Sequence, residues 1–130
     1  MKTMLARLRD ENGVELVEKA EASILRISKP AGIVIDVTIP YTVLEWFVDV
    51  RDSSGSVWAE CADYYSVNNE TKGQLLLDMQ SDIERFVTVL LKSEVRVLHN
   101  PVKAGKEVEM AVKGSWRRAD LSWMTADQGT

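Results

Sequence analysis

The stretch from Leu44 to Tyr65, LEWFVDVRDSSGSVWAECADYY, constrains the fold more than any other. Leu44, Trp46, Val48 and Val50 alternate with Glu45, Phe47, Asp49 and Arg51. A strand sends successive side chains to opposite faces, so this pattern specifies one apolar face and one mixed face. Val57, Ala59 and Cys61 alternate in the same way with Trp58, Glu60 and Ala62. Asp52-Ser53-Ser54-Gly55 lies between the two runs. It has turn chemistry, with short polar side chains followed by a glycine able to take positive φ. The pattern predicts a β-hairpin.

A four-residue loop puts Val50 opposite Val57, Val48 opposite Ala59 and Trp46 opposite Cys61, all on the apolar face. Phe47 then faces Glu60, and Asp49 faces Trp58. A two-residue loop at Ser54-Gly55 sets Asp49 against Glu60, a like-charge pair, so the longer loop is preferred. On this reading the second face mixes aromatic and acidic groups: Glu45, Phe47, Asp49, Trp58 and Glu60. These five residues are the candidate protein-binding site, chemically suited to a basic partner. The alternative is that a helix of the chain itself covers the aromatics.

Two further strands are predicted upstream, at Ile24–Ser28 and Ile33–Ile39, separated by Lys29-Pro30-Ala31-Gly32. Matching their apolar sides asks for Leu25 opposite Ile35 and Ile27 opposite Ile33. Pro40-Tyr41-Thr42 is a short link to the central hairpin, so residues 23–65 are expected to form a four-stranded antiparallel meander. Before it, the Asn12-Gly13 turn signal favours a hairpin of 4–9 with 14–18. Met1, Leu5 and Leu8 also fit a helical face, and a helix from Val14 to Ala22 is the other alternative.

After a polar loop at 67–73, Gln74–Met79 reads as a strand. Ser81-Asp82-Ile83-Glu84 has the form of a capping box that opens a helix over about 82–92, with Ile83, Phe86, Val87, Leu90 and Leu91 as its stripe. One longer helix starting near Leu75 competes with this. Glu94–Leu98 and Glu107–Val112 read as strands, with a turn at 103–106. Trp116 and Trp123 are expected to close the edge of the core. The fold class is therefore α+β: a mainly antiparallel sheet built around a four-stranded meander and packed against one clear helix.

The sequence of 130 residues suits one compact domain with frayed ends, large enough to form a core without metals or disulfides. The net charge of −4 argues against a phosphate-driven nucleic-acid binder and fits a basic protein partner. Arg117-Arg118 beside Trp116 is a weak motif that reads better as a solvent-facing charge pair. The single cysteine cannot form an internal disulfide. Cys61 is expected as a small buried hydrophobe, and a cytoplasmic setting is expected. No apolar run resembles a signal peptide or a membrane span.

No catalytic set, cofactor site or metal site emerges. His99 and Cys61 are the only soft ligands, and neither a phosphate-binding glycine loop nor a zinc motif is present. The expected function is a small protein-binding module that sequesters or inhibits a basic protein, of which a toxin-neutralising protein is one specific form. One alternative is a ligand binder or enzyme that uses sheet-face carboxylates, with Asp36, Trp46 and Tyr64 around a pocket. Another is a structural homo-oligomer.

Overall fold

The computed structural model describes residues 1–65, 71–99 and 105–121. The order of elements is α1 (Lys2–Arg9), β1 (Val14–Glu18), β2 (Ala22–Lys29), β3 (Ile33–Pro40), β4 (Trp46–Asp52), β5 (Gly55–Ala62), α2 (Lys72–Lys92), β6 (Val95–His99), β7 (Lys106–Val112) and β8 (Ser115–Arg118). The fold is α+β. The meander has five strands in sequence order rather than four, because β1 adds to its edge, and β6–β7–β8 form a second antiparallel sheet.

Met4, Leu5 and Leu8 of α1 are buried in the core, while Arg7 and Arg9 sit at the helix's electronegative end. The favoured hairpin of 4–9 with 14–18 is thus corrected. Its first arm is a helix, and β1 pairs with β2 instead. The Asn12-Gly13 turn is real but joins helix to strand. Gly13 takes φ +84°, and Val14 N–H donates to the Glu11 carbonyl at 3.2 Å.

The β2–β3 register is Leu25 opposite Val37, Ile27 opposite Ile35 and Lys29 opposite Ile33. This is two residues away from the predicted pairing. Both registers keep the same faces, because a shift of two preserves side-chain parity. The connection is only Pro30-Ala31-Gly32, made possible by left-handed backbone at Ala31 (φ 67°) and Gly32 (φ 72°).

The strand expected at Gln74–Met79 and the helix start at Ser81 are both overturned by α2, which runs unbroken from Lys72 to Lys92. Leu75, Met79, Ile83, Phe86, Val87 and Leu90 form one buried stripe, and a helix that long covers more apolar surface than a strand followed by a helix. The cap is Thr71, whose hydroxyl accepts the Gln74 amide at 3.2 Å. Ser81 is exposed in mid-helix, and Glu84 pairs with Arg7 of α1.

Both helices contribute to one core with the sheet's inner face. From β2, β3 and β4 that core takes Leu25, Ile27, Ile33, Ile35, Val37, Ile39, Trp46, Val48 and Val50. Val95, Val108 and Met110 bring the second sheet into the same core, with β7 against β5 and β6 against β3. Lys29 Nζ donates to the Ser93 carbonyl at 2.8 Å, and Lys106 Nζ to Asp52 at 2.8 Å. Trp116 does not close the core. It lies exposed under the Arg96 guanidinium, 3.8 Å from its ring centre. Trp123, Asn100-Pro101 and Lys103-Ala104 lie outside the described residues. No helix among those described is long and apolar enough to cross a membrane.

A buried polar chain joins the central hairpin to α2. Trp46 Nε1–H donates to the Tyr65 hydroxyl at 3.0 Å, and that hydroxyl donates to Asp82 at 2.7 Å. Tyr64 also donates to Asp82, at 3.0 Å. The Trp46 and Phe86 rings meet at 5.4 Å in a tilted arrangement.

Candidate functional site

The hairpin closes at Asp52 opposite Gly55, with Ser53-Ser54 between them. Asp52 Oδ1 accepts the Ser54 amide at 2.9 Å and the Ser54 hydroxyl at 2.7 Å, a local side-chain turn. Lys106 and these Ser54 contacts hold the Asp52 carboxyl at about 2, below its ordinary value. Arg51 faces Ser56, but Asp52 and Gly55 pair as well, so the loop is Ser53-Ser54 rather than the four residues expected. A bulge then intervenes, and the pairs become Val50 with Trp58, Asp49 with Ala59, Val48 with Glu60, Phe47 with Cys61 and Trp46 with Ala62.

That one extra residue reverses the facing of β5. The predicted face Glu45–Phe47–Asp49–Trp58–Glu60 is therefore divided. Phe47 and Asp49 stay on the outer face, whereas Trp58 and Glu60 turn to the inner one. Trp58 packs against the core, and Ala59 and Cys61 are left exposed outside. The physical reason is size, since the bulge buries an indole and leaves an alanine and a cysteine in water. Cys61 is accordingly corrected from buried to exposed. Glu60 is covered by the chain itself. Partial burial, then the Asp120 charge, raise its pKa, while the Leu121 amide and the Trp58 side chain bond to it.

On the outer face the register lines up a row of charges: Glu15, Arg26, Asp36 and Asp49, from β1 to β4. Asp36 is 8% exposed. Arg26 grips it with two hydrogen bonds, Nε to Oδ1 at 2.8 Å and Nη2 to Oδ2 at 3.1 Å, and Arg51 Nη2 adds a third at 2.9 Å. The hydrogen bond to Asp36 raises the pKa of Arg26. Asp36 and Asp49 are direct cross-strand neighbours, and Arg51 between them offsets the like-charge contact. Its Nε is buried 3.7 Å from Asp49, too far for a hydrogen bond.

The next row is Val17, Ile24, Thr38, Phe47 and Cys61. Phe47, on β4, is 37% exposed, and Ile24 is buried without belonging to the main core. Partial burial and then the charges of Asp63 and Glu45 raise the Cys61 thiol pKa, so both carboxylates lie beside this end of the row. Neither has an ion-pair partner among the described residues.

The pocket imagined around Asp36, Trp46 and Tyr64 does not form. Asp36 is held on the outer face, Trp46 is fully buried on the inner one, and Tyr64 is bonded to Asp82. No group of three or more His, Cys, Asp or Glu with metal-binding geometry occurs among the described residues. Sequence reading missed Val17, Ile24 and Asp63. The first two carry a signal, since they occupy the alternate positions of strands whose other face is plainly core. No family model, curated protein or solved structure matches the chain significantly.

Proposed function

We propose that this protein is a small protein-binding module that engages a basic partner through the outer face of the five-stranded sheet. The observation that carries the reading is the row around Phe47. It is a mainly apolar strip, broken only by Thr38, on a face that contributes nothing to the main core, and the carboxylates of Glu45 and Asp63 stand at one end. An aromatic anchor bordered by acids suits an apolar side chain flanked by Lys or Arg. Asp49 remains in the site, and Trp58 and Glu60 leave it for the hairpin's inner side. Sequestration or inhibition of the partner follows from occupying its basic surface.

The test begins with affinity capture on the wild-type chain, followed by calorimetric titration of the captured partner. Phe47→Ser and the double variant Glu45→Gln/Asp63→Asn should each weaken binding at least tenfold, with unchanged circular dichroism. Added salt should weaken the wild-type complex. A partner with an acidic surface, or affinity unchanged in both folded variants, would overturn the reading. Self-association through Phe47, seen by light scattering as a dimer that the Phe47→Ser variant abolishes, would support the homo-oligomer instead.

A further inference from the structure

The opposite side of the sheet carries a separate feature. A cleft of about 660 Å³ opens between α1, the start of α2 and the ends of β1–β3, within the size range of small-molecule sites. Leu5, Leu16, Ile39 and Met79 give it an apolar interior. Leu76 and Val43 extend that surface to an exposed lip, at 40% and 45% exposure.

Its polar groups are few and placed at the border. Lys2, Leu5, Ala6 and Arg9 form one face of α1, at i, i+3, i+4 and i+7, and all four line the cleft. Two cations thus bracket an apolar stretch of helix about 10 Å long. Lys2 has no ion-pair partner among the described residues, and Arg9 has only Asp10 at 3.9 Å. Glu18 is the one carboxylate in the lining, so the cations exceed it by one.

Ser23 supplies a second, independent sign. It is 3% exposed on the inner face of the sheet, and its hydroxyl contacts the Tyr41 hydroxyl at 3.1 Å. Both residues line the cleft. One proton serves the bond between them, which leaves the other hydroxyl's proton to be donated.

We infer that the cleft binds a single-chain anionic amphiphile, with the alkyl chain against Leu5, Leu16, Ile39 and Met79 and the carboxylate at the polar border, where Lys2 and Arg9 supply the positive charge and the Ser23–Tyr41 pair a hydroxyl donor. The site is on the other side of the sheet from Phe47 and stands independently of the proposed protein partner. An alkyl chain matches an apolar interior, and a carboxylate accepts from ammonium, guanidinium and hydroxyl donors alike.

Isothermal titration with dodecanoate below its micellar concentration tests this, with dodecylammonium as the opposite-charge probe. The expected result is saturable one-to-one binding of dodecanoate, at least tenfold tighter than dodecylammonium. The Lys2→Gln/Arg9→Gln variant should lose at least tenfold for dodecanoate, and the cleft-filling Ala6→Phe variant should lose binding of both probes. Absence of saturable binding, equal affinity for the two probes, or full affinity in a folded Ala6→Phe variant would overturn the inference. Should Ala6→Phe fail to fold, the charge variant and the two-probe comparison decide it.

Discussion

Replacing Tyr65 by Phe removes one oxygen from the joint between the hairpin and α2. That oxygen accepts the indole N–H of Trp46 at 3.0 Å and donates to Asp82 at 2.7 Å. Trp46 is fully buried, so its N–H would be left without an acceptor or a route to water. A stranded buried donor costs about 1–3 kcal/mol, and a hydrogen bond to a charged group about 1.5–3 kcal/mol. Asp82 is only half-buried and keeps Tyr64, so water replaces much of the second loss. The expected destabilisation is about 2–3 kcal/mol, or about 6–15 °C in Tm for a chain of this size. Tyr64→Phe is the matched control, because its hydroxyl bonds Asp82 at an exposed position and leaves no buried donor stranded. It should cost less than about 1 kcal/mol. Urea unfolding of both variants, with m-values compared, measures the difference. If Tyr65→Phe costs no more than Tyr64→Phe, the buried chain is not what fastens the hairpin to the helix.

Four other outcomes follow from the same structure. Thr71→Ala should destabilise by about 1 kcal/mol, whereas Ser81→Ala should be neutral or slightly stabilising; chemical unfolding of the pair distinguishes the two helix starts. Burial, then the bonds with Tyr64 and Asp82, lift the Tyr65 phenol far above its ordinary range. A raised folded value means stability is intact below the unfolded value of about 10 and declines as pH rises beyond it, so thermal unfolding from pH 8 to 11 should show a fall that Tyr65→Phe lessens. Asp36→Ala should cost about 1–3 kcal/mol, because it removes the carboxylate shared by two arginines that are themselves 36% and 38% exposed and so partly rehydrated, and this is readable by the same urea titration. The Asp52 carboxyl should titrate near 2 by NMR and return toward ordinary carboxylate values in Lys106→Met, whose amine supplies the largest part of the depression.

Strand alternation made the β2–β3–β4 sheet legible in advance. Ile33, Ile35, Val37 and Ile39 can face only a core, and Trp46, Val48 and Val50 likewise. The stripe of α2 was legible too, but not its beginning. Ser81–Glu84 and Thr71 offer competing caps, and choosing between them required knowing that the inner face has room for a helix reaching back to Leu75. The N-terminal segment was ambiguous for a related reason. Eight residues carry too little periodicity to separate helix from strand, and what decides is whether Met4, Leu5 and Leu8 find a surface to cover.

The candidate site turned on one residue. The sequence determined which positions of β4 face outward, so Phe47 and Asp49 could be assigned from alternation alone. Only the tertiary structure decided the facing of β5, because a bulge costs little locally and its benefit is packing the Trp58 indole against a core built from distant parts of the chain. By itself, then, the sequence determined an α+β protein with a β-rich centre and an aromatic, acidic strand face. Long-range packing decided that Trp58 and Glu60 turn inward, that Cys61 comes out, and that Ile24 and Val17 join Phe47. Parity along a strand is local information, whereas the register between strands is set by what each face buries.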